Sequence, residues 1–317
     1  MEIGLTVIIC FTLIAGLKAE HECGNVPDTS KYTCPVGENN PVVSNECSGK
    51  DLTTFQVSSC VSVTVNKIEN GHPNKVTSLR VENVTNELHL EVYFEDNITS
   101  IELLNIGRIP KIKDVYFGNV QRIDNFRIEN TRIGYLDLPF NMFTKTMKLI
   151  LKNVVIEELS TLEIENAKEL DVTIINCQIK INGGHAYLKA TNKERASIKL
   201  INTTFEFNTP EVMNLTIIGK SVEISHCTFV RTFVNVIGEK SVIRNTYGGE
   251  KSSLRIESYK TEVHDNQIST ETIERAPEII SSPPVDEVKN TTGAGTRISH
   301  SLSLCLIGVS SIFIIRM

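Results

Sequence analysis

Nine times along this chain an apolar residue, a spacer, a second apolar residue, a spacer and a short polar residue follow one another. The instances are Leu79-Val81-Asn83, Ile101-Leu103-Asn105, Phe126-Ile128-Asn130, Leu149-Leu151-Asn153, Val172-Ile174-Asn176, Ile198-Leu200-Asn202, Val222-Ile224-His226, Ser241-Ile243-Asn245 and Thr261-Val263-Asp265, the last two weaker in apolar content. The polar members are 22, 25, 23, 23, 26, 24, 19 and 20 residues apart. Alternation with period two marks a strand with one buried face, and its return about every two dozen residues marks one structural unit stacked on itself. The nine polar members are expected to line up as a ladder, each satisfying backbone groups at a bend and its neighbours above and below.

A second set with the same alternation falls between the first: Val92-Phe94, Val115-Phe117, Leu136-Leu138, Leu162-Ile164, Leu215-Ile217, Val234-Val236 and Leu254-Ile256. Each unit therefore predicts two short strands separated by polar turns. An isolated apolar residue also recurs three positions after the polar one, at Ile133, Ile156, Ile179, Phe205, Phe229 and Ile268. No sustained i, i+3, i+4, i+7 stripe occurs, which excludes the helical solenoids. A leucine-rich repeat would place its Asn three positions after the last apolar residue, whereas here it follows by two.

Composition sharpens this picture. Hydrophobic residues make up 40% of the 317, yet aromatics only 6%, and Trp is absent, so the core must be built of Ile, Val and Leu, which suit buried parallel strands. The net charge of −6, with no basic stripe, argues against nucleic acid as a partner. The segments Val172-Thr-Ile-Ile-Asn-Cys-Gln-Ile179, Ile198-Lys-Leu-Ile-Asn-Thr-Thr-Phe205 and Val222-Glu-Ile-Ser-His-Cys-Thr-Phe229 resemble the repeat of right-handed parallel β-helix proteins, the pectate-lyase and polygalacturonase group among them. That resemblance implies an all-β fold, a parallel β-helix solenoid of about eight coils, and no particular activity.

The two ends carry a different logic. Ile3 to Leu17 is an apolar run of signal-peptide length, so 1–19 is read as a leader. Residues 20–66 form a cysteine-bearing N-terminal cap, 78–267 the repeat domain, and 268–297 a Ser/Thr/Pro-rich stalk. Residues 298–317 end in the short apolar stretch Leu302 to Ile315, preceded by a polar spacer and the small residues around Asn290 and Gly293. This is the order of a signal for exchange of the tail for a glycolipid, with Asn290 or Gly293 as the attachment residue. A short spanning helix is the alternative. Either way the body faces the outside of the cell.

Cysteines and sequons follow from that location. Cys23, Cys34, Cys47 and Cys60 are expected to pair in an oxidising compartment, in one of three connectivities. Cys177 and Cys227 lie two rungs apart with Thr203 between them, beyond the ~7 Å span of a disulfide, and are expected to be buried free thiols. Sequons stand at Asn83, Asn97, Asn202, Asn214 and Asn290. Asn97 and Asn214 are expected to carry glycans, and Asn202, as a ladder residue, is not.

No catalytic residue, cofactor or metal set is expected. Gly219-Lys220-Ser221 resembles the end of a phosphate loop but continues into a strand, and Gly238-Glu-Lys-Ser241 repeats it one coil later, so both read as turns. Asp96 and Asp265 are isolated carboxylates. The leading reading is a non-catalytic cell-surface glycoprotein, lipid-anchored in the membrane, that presents a rigid lateral face to an extracellular protein or glycan. A carbohydrate-active enzyme on the same scaffold and a leucine-rich-like surface receptor are the alternatives.

Overall fold

The computed structural model describes residues 31–43, 53–66, 76–92, 94, 98–113, 117, 119–183 and 185–274. Within them the chain is an all-β parallel solenoid of about nine turns. Every strand pairing among these residues is parallel, and the non-strand elements are two 3₁₀ turns, Phe140–Met142 and Lys193–Arg195. The register follows the repeat. Phe55, Leu79, Ile101, Phe126, Leu149, Val172, Ile198, Val222, Ser241 and Thr261 are successive partners across adjacent strands. Their side chains point inward, and the apolar members are at most 4% exposed.

The count of about eight coils is corrected upward, because parallel pairing begins inside the cysteine-bearing segment. Thr54–Cys60 pairs in register with Ser78–Val84, and Lys31–Thr33 pairs with Gln56–Ser58. At the other end Ser269–Glu274 pairs with Ser253–Ser258, so the array continues past Gln267. Phe55 and Val57 already follow the alternating rule of the first face, although the residue at their bend is a serine.

Each coil also has three strand segments, not two. The lone apolar residue three positions after the bend belongs to a further strand, as in Gln178–Ile181, Thr204–Phe207 and Thr228–Val230, which stack on one another in register. In the long strands Ser78–Glu91, Ser100–Ile112, Arg122–Leu136 and Thr146–Leu159 this segment is continuous with the first through the bend.

The third segment is regular from Leu162–Ile164 onward: His185–Lys189, Asn214–Ile218, Phe233–Ile237, Ser253–Glu257 and Ser269–Ile273 stack on it in turn. Earlier coils depart from the expected pattern. Phe94 and Phe117 lie outside strands, as does Phe143, and the three rings form a buried column with centroids 5.6 and 5.3 Å apart. Rings of this size fill the interior of these coils, each burying on the order of 150–250 Å².

The inward row changes character toward the C-terminal end. Val222 is followed by Ser241 and Thr261, whose buried hydroxyl oxygens have no hydrogen-bond partner among the described residues. On the third face Leu254 and Ile256 are followed by Thr270 and Thr272. Thr270 and Thr272 are exposed, and among the described residues their strand is paired on one side only, so hydroxyl-bearing residues there leave less apolar surface uncovered.

Candidate functional site

All nine repeat residues occupy the left-handed region, with φ between 46° and 57° at Asn83, Asn105, Asn130, Asn153, Asn176, Asn202, His226, Asn245 and Asp265. That conformation lets the strand turn between the first and second faces. L-residues pay for it through Cβ, and Asn and Asp are the side chains that tolerate it best after glycine. Six of the asparagines are joined by side-chain hydrogen bonds running one way. Each Nδ2 donates to the Oδ1 of the preceding coil: Asn105 to Asn83 at 3.1 Å, Asn130 to Asn105 at 2.7 Å, Asn153 to Asn130 at 2.7 Å, Asn176 to Asn153 at 3.0 Å and Asn202 to Asn176 at 2.9 Å. At the far end the amide of Asn245 meets His226 Nε2 at 3.2 Å. In the later coils the backbone runs the other way, the bend N–H donating forward, as from Asn176 to Ile201 and from Asn202 to Ser225.

Two members of this system carry no signal in the repeat pattern. Ser59, with φ 60°, lies one coil before Asn83 and occupies the same bend. A second short ladder runs from Asn208 to Asn182 and on to Glu158, at 3.2 and 2.5 Å, after the second face. Its spacing of 26 and 24 residues is the coil period, which is the clue the sequence offers.

The residue after the bend turns inward and forms its own column: Cys60, Val84, Ile106, Thr131, Val154, Cys177, Thr203, Cys227 and Thr246. Where it bears a hydroxyl or thiol, that group donates to the carbonyl two residues earlier: Thr131 to Glu129 at 2.9 Å, Cys177 to Ile175 at 3.2 Å, Thr203 to Ile201 at 2.9 Å, Cys227 to Ser225 at 3.4 Å and Thr246 to Arg244 at 3.3 Å. Cysteine and threonine are thus doing the same job. Cys177 and Cys227 are free and buried. Cys34 and Cys60 form a disulfide with Cα atoms 5.0 Å apart, close to one rung. Cys23 and Cys47 lie outside the described residues, as do Asn97, Asp96, Asn290 and Gly293.

Burial pushes the thiols well above their ordinary range, to about 11 for Cys177 and about 12 for Cys227. A raised thiol value favours the folded state at low pH and is lost with rising pH; for Cys177 the loss runs from the ordinary thiol value near 9.0 to about 11. Iodoacetamide at pH 8 is therefore expected to leave both thiols unmodified in the folded protein and to label both in urea, read by peptide mass. Cys177→Thr is expected to stay within about 1 kcal/mol of the parent, whereas Cys177→Ala, which removes the thiol's hydrogen bond to the Ile175 carbonyl and leaves a small void in a buried column, is expected to lose about 1–2 kcal/mol.

The outward row of the first face is uneven in chemistry. Its N-terminal rungs form an ion network: Arg80 pairs with Glu82 at 2.7 Å and Glu102 at 2.8 Å, Gln56 donates to Glu82 at 2.6 Å, and Asn125 donates to Glu102 at 2.7 Å. The hydrogen bond from Arg80 holds the Glu82 carboxyl below its usual range, against the opposing effect of partial burial. In the middle rungs charge gives way to Ile150, Thr173, Ile175 and Ile201, all partly exposed and neighbours through the Ile150–Thr173 and Ile175–Ile201 pairings. Lys152 and the Lys199–Glu223 pair, at 3.0 Å, border this island.

A groove of about 530 Å³ opens at the start of the same face, lined in part by Asp124, Lys148, Glu169, Asp171, Arg195 and Lys220. Its carboxylates are matched by cations: Arg122 on Asp124 at 2.5 Å, Lys148 on Asp171 at 3.9 Å, Arg195 on Glu169, and Lys220 on Glu194 at 3.5 Å. Glu194 and Glu239 share a hydrogen bond that raises Glu239 and lowers Glu194. Gly219, Gly238 and Ser258 stack at the corner beside this groove, within strands that continue through it. A Cβ on Gly219 would come within 3.0 Å of the Ala196 carbonyl oxygen, which accounts for that glycine without a phosphate. Compared with known proteins, the chain matches no family model, no curated protein and no solved structure.

Proposed function

We propose that this chain is a non-catalytic, glycosylated cell-surface protein whose solenoid offers the partly exposed Ile150–Thr173–Ile175–Ile201 island to an extracellular protein or glycan. The island carries this reading. On a lateral face whose other outward positions are largely charged or polar, neighbouring apolar side chains form a surface that gains by being covered. A parallel array with buried rungs holds it rigid, so association costs little ordering of the surface.

The leader at 1–19 and the tail at 298–317 support an outward-facing, lipid-anchored placement, with Asn290 or Gly293 joined to the lipid. The Cys34–Cys60 disulfide fits the same oxidising location. The resemblance to the pectate-lyase group bears on the scaffold. The cation-matched carboxylates of the groove favour recognition over hydrolysis.

The test compares purified ectodomain with its Ile175→Lys/Ile201→Lys variant on protein and glycan arrays. Both substitutions are at outward positions, so equal thermal midpoints are expected, and ligands of the parent are expected to lose at least tenfold in affinity. Turnover of pectin, chitin or hyaluronan by the parent would overturn the reading. Release of the protein from intact cells by a phosphatidylinositol-specific lipase tests the anchor separately.

A further inference from the structure

We infer that the two ladder sequons differ, Asn83 carrying an N-linked glycan and Asn202 remaining bare. The inference rests on the secretory placement proposed above and deepens it. The amide ladder has a direction, and the sequons sit at its opposite ends. Asn202 Nδ2 is committed to Asn176 Oδ1 at 2.9 Å, and its rung lies between Asn176 and the imidazole of His226. Asn83 closes the ladder as an acceptor, taking the bond from Asn105 on Oδ1 and leaving Nδ2 without a partner among the described residues. The coil before it offers only the hydroxymethyl group of Ser59. Rungs are ~4.8 Å apart, so a sugar ring on Asn202 would press against side chains on both sides, whereas one on Asn83 has open space on the Ser59 side.

The modification joins Asn83 Nδ2 to the anomeric carbon of an oligosaccharide carried on a polyprenyl pyrophosphate. The anomeric C–O bond breaks, the pyrophosphate leaves with the electron pair, and one amide hydrogen departs as a proton. Transfer precedes folding, so the fold decides which glycosylated chains reach the native state. A chain modified at Asn202 has to displace the side chains of the rungs on both sides and is lost from the secreted pool; one modified at Asn83 folds unhindered.

The experiment is secretion of the protein from eukaryotic cells, enzymatic deglycosylation in ¹⁸O-water, and peptide mass spectrometry at Asn83, Asn202 and Asn214. Label is expected at Asn83 in most molecules, at Asn202 in fewer than about a tenth, and at Asn214, which is exposed and outside the ladder. Thr85→Ala, which removes the sequon and keeps the ladder residue, is expected to shift the secreted band down by one glycan, and Thr204→Ala to leave it in place. An unlabelled Asn83 beside a labelled Asn214, or equal label at Asn83 and Asn202, overturns the inference alone. No label at any of the three removes the secretory placement and the inference with it.

Discussion

Replacing Asn153 by valine is expected to lower the unfolding free energy by about 3 kcal/mol, while glycine at the same position is expected to cost about 1 kcal/mol. Asn153 holds φ 53°, donates to Asn130 and accepts from Asn176. Both substitutions remove the two side-chain hydrogen bonds, which are exposed and worth a few tenths to one kcal/mol each. Valine alone adds a β-branched Cβ in a conformation that strains every L-side chain, a penalty of about 1–3 kcal/mol. Glycine removes that strain and loses only part of the benefit through the freedom of its unfolded chain. The difference between the two variants in urea unfolding thus separates the conformational role of the bend from its hydrogen bonding. If valine and glycine cost the same, the ladder works through its amides and the left-handed bend is incidental.

The same position shows how the sequence could be read. The left-handed bend selects Asn because few other residues tolerate it, and the inward residues two and four positions earlier are apolar in most coils because the coil interior is buried. Both constraints act at one coil on a few neighbouring residues, so they recur with the period and are legible without coordinates. Ser59 escaped because a serine fills the bend of an early coil, where only the alternation of Phe55 and Val57 betrays the repeat. The second face escaped because its strands are only three or four residues long, so the alternation of Ile179 with Ile181 or of Phe205 with Phe207 spans too few positions to stand out. The Phe94–Phe117–Phe143 column is a packing solution between distant residues and leaves no local period to find. The shared duty of Cys177, Thr203 and Cys227 shows in the sequence only as two cysteines and a threonine in one place. Their common hydrogen bond to the carbonyl two residues back requires the bend to be known first. The outward isoleucines are the least legible of all. Alternation tells inside from outside, and an apolar residue on the outside reads as noise until the register sets Ile175 beside Ile201.

Removing the Cys34–Cys60 disulfide is expected to cost about 3.5 kcal/mol, and the loss is expected to be local. The two cysteines are 26 residues apart, which closes a loop one coil long, and the chain-entropy relation gives that figure for a loop of this size. In a stacked array each coil is held by its neighbours, and the coils near an end have fewer of them. The strand Lys31–Thr33 is only three residues long and pairs with Gln56–Ser58, and Val42–Val43 adds a two-residue pairing with Thr64–Val65, so the pairings described at this end are short. Cys60 already stands at the head of the column in which threonine is the common alternative, which makes Cys34→Ser/Cys60→Thr the variant that removes the bond with the least disturbance. Hydrogen exchange should then show faster exchange at Val57 and Val65 and unchanged protection at Ile174 and Leu200. Reduction of the parent protein should reproduce that pattern. Equal loss of protection in both regions would mean that the array unfolds as a single unit and that the disulfide stabilises all of it. The local outcome has a consequence for where the protein can work. A chain made in a reducing compartment keeps its central rungs and the Ile150–Ile201 face but lets its first coils open. Asn83 lies beside those coils, so the glycan-bearing end of the ladder depends on the oxidised bond more than the bare end does.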